Sequence, residues 1–201
     1  MASEADGRFR PRQAARPRRA ARAGPPGALE VGRRVFLLAP TARHRDELLA
    51  LIKMSRPVLR PWVMPPASRA AFGAYLRRAR RATERGFLVC RLEDRAIAGV
   101  INVSQIFLGN FRSAYLGYYG GAPFRGQGYM GEGLRLVLRH AFGALGLHRL
   151  EANIQPKNRA SIRLVRRAGF RREGFSPRYL KIRGRWRDHE RWAITAEAFR
   201  R

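Results

Sequence analysis

The run from Tyr115 to Leu134, YLGYYGGAPFRGQGYMGEGL, limits the folds open to this chain. An aromatic, strand-like stretch stops at a Gly/Pro break, and a glycine-spaced turn then opens into a segment with helical apolar periodicity. Met130, Leu134, Val137, Leu138, Ala141 and Leu145 fall on one face; Glu132, Arg135 and Arg139 fall on the other. A helix start leaves up to four backbone N–H groups without intrahelical partners, and their dipoles favour an anion there. Gly126 and Gly128 would let a ligand approach where a Cβ would collide. No Lys-Ser/Thr pair ends the turn, which excludes a P-loop, and the aromatic, Gly-broken strand is a poor dinucleotide fingerprint. On these residues alone the stretch is either a phosphate cradle or an ordinary Gly-rich strand-to-helix turn.

The sequence has 201 residues, enough for one domain and a tail. The formal charge is +28, with Lys53, Lys157 and Lys181 the only lysines. Residues 1–32 hold seven arginines against Glu4, Asp6 and Glu30, so +24 belongs to the remainder. Such a field concentrates phosphorylated cofactors and nucleic acid; a solvated surface of biased composition gives the same count. The single cysteine, Cys90, excludes a disulfide framework and a cysteine metal site within the chain and reads as a buried strand residue. No metal is expected. No run of 18 apolar residues exists, and the N-terminus lacks a hydrophobic signal core, so a cytoplasmic protein is expected.

Residues 1–32, rich in Arg, Ala and Pro, read as a disordered extension, and residues 33–201 as one folded domain. A strand is expected at Arg33–Ala39, and a helix after Thr41 carrying Leu48, Leu49, Leu51 and Ile52. Ser55–Pro66 holds four prolines and reads as a loop; Ser68–Arg85 reads as a helix ended by Gly86. Phe87–Leu92 and Ala96–Phe107 form a hairpin, followed by a strand at Ser113–Tyr119 and the helix Gly126–Ala144. Leu147–Gln155 alternates as a strand, Asn158 caps a helix at Arg159–Arg167, and strands follow at Phe170–Phe175, Arg178–Ile182 and Arg187–Thr195. This order favours a mixed sheet with helices on its faces.

Two motifs carry a resemblance. Arg125-Gly-Gln-Gly-Tyr-Met130 resembles the pyrophosphate-binding turn of the GCN5-related N-acetyltransferases (GNAT), (Gln/Arg)-x-x-Gly-x-(Gly/Ala), with Met130 departing from the small last residue. Asn158-Arg-Ala-Ser161, followed by Gly169-Phe170 and Glu173-Gly174, is similar to the Asn-x-x-Ser, Gly-Phe and Glu-Gly segment of the same superfamily. The run Tyr179–His189 and Met130 itself resemble the ribosomal-protein-alanine N-acetyltransferase (RimJ/RimL-type) branch.

The resemblance implies an α/β GNAT fold, a mixed and mostly antiparallel central sheet with helices on both faces and splayed fourth and fifth strands. It implies acetyl-CoA as donor, its pyrophosphate on the backbone of Arg125, Gly126, Gln127, Gly128, Tyr129, Met130 and Gly131. Backbone groups at Tyr118 and Tyr119 would pair with the pantetheine arm and stabilise the oxyanion, and Asn158 would reach the coenzyme. The usual base position holds Asn153, which cannot accept a proton, so Glu151 and Glu173 are the candidate bases. Val165 occupies the usual place of the acidic Tyr, which leaves Ser161 as candidate acid. Asp188 and His189 are neighbours on a strand and point to opposite faces, which argues against a dyad. An α-amino acceptor, with pKa about 7.7–8.0, is on the order of a tenth neutral at pH 7 and needs no strong base, unlike a lysine near 10.4.

The expected function is therefore acetyl transfer to an amine in a ternary complex, with the N-terminal alanine of a ribosomal protein as acceptor. The alternatives are a small amine or amino-sugar as acceptor, or a non-catalytic ribosome- or RNA-binding module on the same fold that uses the basic surface.

Overall fold

The computed structural model describes residues 24–200. The extension expected over residues 1–32 lies outside them up to residue 23; its last part contributes a short strand, β1 (Glu30–Val31), paired with β2 (Val35–Leu38). Two helices follow, α1 (Arg45–Leu59) and α2 (Arg69–Ala79), then three strands, β3 (Glu84–Arg91), β4 (Ile97–Phe107) and β5 (Ser113–Gly120). Next come α3 (Tyr129–Phe142), β6 (Arg149–Ile154), α4 (Arg159–Arg167), β7 (Arg171–Ile182), β8 (Arg185–Thr195) and a one-turn α5 (Ala196–Arg200). The strands form one sheet in the order β1-β2-β3-β4-β5-β6-β8-β7. Every pairing is antiparallel except β5 with β6, which gives the mixed, mostly antiparallel sheet expected.

Strand alternation sorts the apolar side chains into a core on each face. Val35, Leu37, Phe87 and Val89 meet Leu134, Val137 and Leu138 of α3 on one face. Phe36, Leu88 and Cys90 meet Leu48, Leu51 and Ile52 of α1 and Phe72 of α2 on the other. In β4 the phase changes at a bulge: Val89 opposes Gly99 and Cys90 opposes Ile97, so Ala98 is the extra residue. The bulge sends both Ala98 and Ile101 to the α3 face and both Ile97 and Val100 to the α1 face.

Several boundaries differ from the sequence reading, three of them for reasons of packing. Helix α1 runs on through Pro57 to Leu59 where a loop is expected from Ser55. An interior proline removes one helical hydrogen bond, but the extra turn buries Ser55 and Leu59, and the carbonyl that loses its partner belongs to the exposed Lys53. Helix α2 ends at Ala79, and Gly86 lies inside β3 opposite Asn102. A Cβ at Gly86 would stand 2.5 Å from the Tyr75 hydroxyl, so this glycine admits a helix packed on the strand and terminates nothing. The two strands expected at Phe170–Ile182 are one, β7, with irregular pairing between Ser176 and Leu180 around Pro177.

Helix α1 is tied to the turn after β5. Fully buried Ser55 accepts the Ala122 N–H at 2.8 Å. Ser55→Ala leaves that N–H without its acceptor, and urea unfolding is expected to show a loss of about 1–3 kcal/mol. Cys90, buried in β3, has its thiol pushed up to about 12 by burial and by the Glu47 carboxylate. A disulfide reagent at pH 8 should leave the native protein unmodified and titrate one thiol in denaturant.

Candidate active site

β5 and β6 pair over three positions only: Ser113 with Arg149, Ala114 with Leu150, and Tyr115 with Glu151. Beyond Tyr115 the strands part. β5 stays bonded to β4 as far as Gly120, and β6 stays bonded to β8 as far as Ile154, so each half of the sheet keeps its outer partner while the inner edges diverge. A cavity of about 890 Å³ is lined by the end of β5, by Arg125, Gly126, Gly128, Met130 and Gly131, by the start of α4 and by the C-terminal end of α1.

The glycine-spaced turn closes one end of this cavity. Helix α3 begins at Tyr129, three residues later than the periodicity suggests, because Gly126 (φ 76°) and Gly128 (φ 85°) are left-handed. A Cβ on Gly126 would meet nothing within 4 Å; the space before it is open. The N–H groups of residues 126–131 have no acceptor among the described residues. The turn is braced from behind. Arg34 donates to the Gln127 carbonyl at 2.9 Å and lies over the Tyr129 ring at 4.3 Å, while Gln127 Nε2 donates to the Pro123 carbonyl at 3.0 Å. Glu132 accepts the backbone N–H groups of Arg33 and Arg34. Six N–H groups without acceptors among the described residues, on a braced backbone, with Arg125, Arg135, Arg163 and Arg167 along the adjoining cavity, fit a polyphosphate.

Of the residues expected to hold a donor here, Gln127 and Tyr129 do not line the cavity; the other eight do. Tyr129 is buried against Arg34 and Arg91, which leaves it only a backbone role. Met130 departs from the small residue of the motif, and the sheet makes room for it. Gly99 and Gly120 oppose each other across β4 and β5, and the Met130 side chain seats on the pair. A Cβ at Gly120 would lie 2.9 Å from Met130 Cγ.

The candidate bases lie elsewhere. Arg149 binds both, donating from Nε to Glu151 at 2.9 Å and from its Nη groups to Glu173, and neither Glu lines the cavity. The hydrogen bond from Arg149 holds Glu173 below the usual carboxylate range, which makes it a poor proton acceptor. Asn153 Oδ1 is buried without a hydrogen-bond partner among the described residues. Asp188 accepts the Arg178 N–H at 2.7 Å, while His189 is buried and its Nδ1–H donates to the Arg187 carbonyl at 2.9 Å; the two form no dyad.

The candidate acid has a partner that the sequence reading missed. Ser161 Oγ and Tyr118 Oη lie 2.5 Å apart and both residues line the cavity. Tyr118 enters the reading for its backbone alone, yet it shares strand parity with Leu116, which faces the α3 core, and that parity sends the ring toward α4. Burial raises its pKa, opposed by the bond to Ser161, so the phenol stays protonated. Asn158 caps α4, its Oδ1 accepting the Ser161 N–H at 3.2 Å, which leaves its amide nitrogen as the free group. Val165 is fully buried in the core beneath.

The seat of Met130 gives a reciprocal test. Gly120→Ala should displace the turn and weaken binding of a CoA-type polyphosphate about tenfold or more in calorimetry, and adding Met130→Ala should restore most of the loss.

Comparison with known proteins gives a consistent result. A probable N-acetyltransferase of Bacillus subtilis, YjcK, is 37% identical over 120 residues, 60% of this chain and 66% of that protein. The [ribosomal protein uS5]-alanine N-acetyltransferase of Escherichia coli is 40% identical over 103 residues, 51% of this chain and 53% of that protein. The chain thus spans between about half and two thirds of the length of these curated relatives. Among solved structures, Mycobacterium smegmatis RimJ in complex with CoA-disulfide superposes with a TM-score of 0.77 at 29% identity, covering 83% of this chain and 84% of that one. Residues 34–171 match the acetyltransferase (GNAT) domain, and the chain belongs to that family.

Proposed function

We propose that this protein transfers an acetyl group from acetyl-CoA to an amine, and that the amine is the N-terminal alanine of a ribosomal protein. The observation that carries the donor is the parting of β5 and β6 beside a turn with six free N–H groups. The likeness to the uS5-alanine enzyme, and the structural likeness to RimJ, support the acceptor. Acetyl-CoA supplies the activated acyl group as a thioester. The chain's residues would hold its pyrophosphate on the N–H groups of 126–131 and its arm along the inner edge of β5 at Tyr118 and Tyr119. Amides on that edge would stabilise negative charge developing on the thioester oxygen. Holding both reactants in one cleft supplies much of the acceleration.

No carboxylate or imidazole lines the cavity among the described residues. With Glu151 and Glu173 both held by Arg149, deprotonation of the acceptor falls to water. An α-amino group needs no more, because it is on the order of a tenth neutral at pH 7. A phenol is a stronger donor than an alkanol, so Tyr118 Oη–H donates to Ser161 Oγ and leaves the Ser161 proton free to meet the departing sulfur. Ser161 is the acid in this reading, and Tyr118 positions it. A small amine or amino-sugar remains the alternative acceptor. Association with ribosomal RNA through the basic surface, the net charge being +28, is a further part of the proposal.

Two measurements test these assignments. Mass spectrometry of protein N-termini from cells with and without the gene should show an alanine terminus of a ribosomal protein that loses acetylation; acetylation of polyamines or amino-sugars alone would replace that acceptor. Ser161→Ala should lower kcat about 10- to 100-fold with little change in the KM for acetyl-CoA. Tyr118→Phe should lower it about 3- to 10-fold, the worth of one neutral hydrogen bond, and should have no further effect in the Ser161→Ala background.

A further inference from the structure

A second cavity, of about 380 Å³, adjoins the candidate active site at the α1 terminus. The two share Leu59 and Val63 as a common wall. Its floor is apolar, from Ile52, Leu59 and Val63, with the exposed Met64 at its edge. Its rim carries Lys53, Arg56, Arg60 and Arg183, all exposed. No carboxylate lines it, and none of the four cations has a salt-bridge partner among the described residues.

Arg183 is placed there at a conformational cost. It occupies the tight turn between β7 and β8 with φ 49°, followed by Gly184 at φ 76°, the pattern of a hairpin turn whose first central position favours Asn, Asp or Gly. A bulky residue in the left-handed region is disfavoured, and such outliers persist where the surroundings hold them. Here the Arg60 carbonyl accepts from Arg183 Nε at 3.0 Å, which fixes the hairpin tip against the α1–α2 connection. Gln155 Nε2 reaches the neighbouring Pro61 carbonyl at 3.5 Å, so the residue that follows β6 meets the same connection. A floor of Ile, Leu and Val with an adaptable Met, ringed by four cations without counter-ions, complements an apolar side chain flanked by carboxylates.

We infer that this groove binds the acceptor polypeptide just downstream of its reacting N-terminus, and that it selects a segment with an apolar residue next to Asp or Glu. The inference rests on the N-terminal acceptor reading above. It gives a protein of net charge +28 a way to engage a protein substrate: recognition is local, between four cations and a short acidic stretch, whatever the charge of the rest of the substrate.

The test uses the full-length protein and fluorescein-labelled peptides beginning with Ala, one carrying Ile flanked by Glu at positions three to six and one with Lys in place of each Glu. Anisotropy at low salt should show the acidic peptide binding at least about tenfold more tightly, with the difference shrinking as salt rises. The double variant Arg56→Glu/Arg60→Glu should reverse the preference while leaving acetyl-CoA affinity and acetylation of a small amine unchanged. Equal binding of the two peptides, or a preference that survives the double variant, overturns the groove. Acetylation is read separately: peptides that bind in this pattern but are never acetylated remove the N-terminal acceptor reading, whereas peptides acetylated without charge preference keep that reading and remove the groove.

Discussion

The site depends on a pairing that stops. Parallel strands need evenly spaced, slanted hydrogen bonds, and β5 and β6 sustain them over three residue pairs before parting. The divergence is stable because each strand keeps a full partner on its other side. β4 holds β5 to its last residue, and β8 holds β6 to its last residue. Unpaired backbone groups inside a protein carry a free-energy penalty, so a wedge of this kind is tolerated where another chain-like group can supply the missing bonds. A pantetheine arm, with its two amides, is such a group. The braced turn at 126–131 then stands at the end of the wedge, where the anionic part of the same ligand would lie.

The charge of the molecule shapes its chemistry by scarcity. The sequence has 14 acidic residues against 42 basic ones, and the acids with the most specific contacts serve the backbone or an arginine. Glu47 accepts the Ile97 N–H, Glu132 those of Arg33 and Arg34, Asp94 that of Ala96, and Asp188 that of Arg178. Glu151 and Glu173 converge on Arg149. The polar groups left on the cavity wall are arginines, amides and hydroxyls, suited to phosphates and to a nucleophile that reaches them already neutral.

Much of this was legible in the residues. The helix face of Leu134, Val137, Leu138 and Ala141, the alternation of Leu150, Ala152 and Ile154, and the Asn158 cap follow local rules, and each stands where those rules put it. Other features needed the third dimension. Gly86 has the signature of a helix stop and is in fact a packing contact with Tyr75, a residue 11 positions earlier. Pro57 has the signature of a loop, but the burial of Ser55 and Leu59 prevails over the lost hydrogen bond. Glu151 lies on the expected strand, and only the reach of Arg149 across β6 and β7 shows that it is engaged. The Tyr118–Ser161 bond joins residues 43 apart, and no local pattern encodes it.

The seat of Met130 has a meaning for how such sequences vary. The thioether occupies volume that two facing glycines vacate, so the distance between the glycine-spaced turn and the sheet is fixed by the sum of the side chains at 99, 120 and 130. These three positions form one packing unit and are expected to vary together. A relative with a small residue at the end of the turn should carry its missing bulk in the strands, and the apparent exception in the motif is then an exchange of atoms between layers.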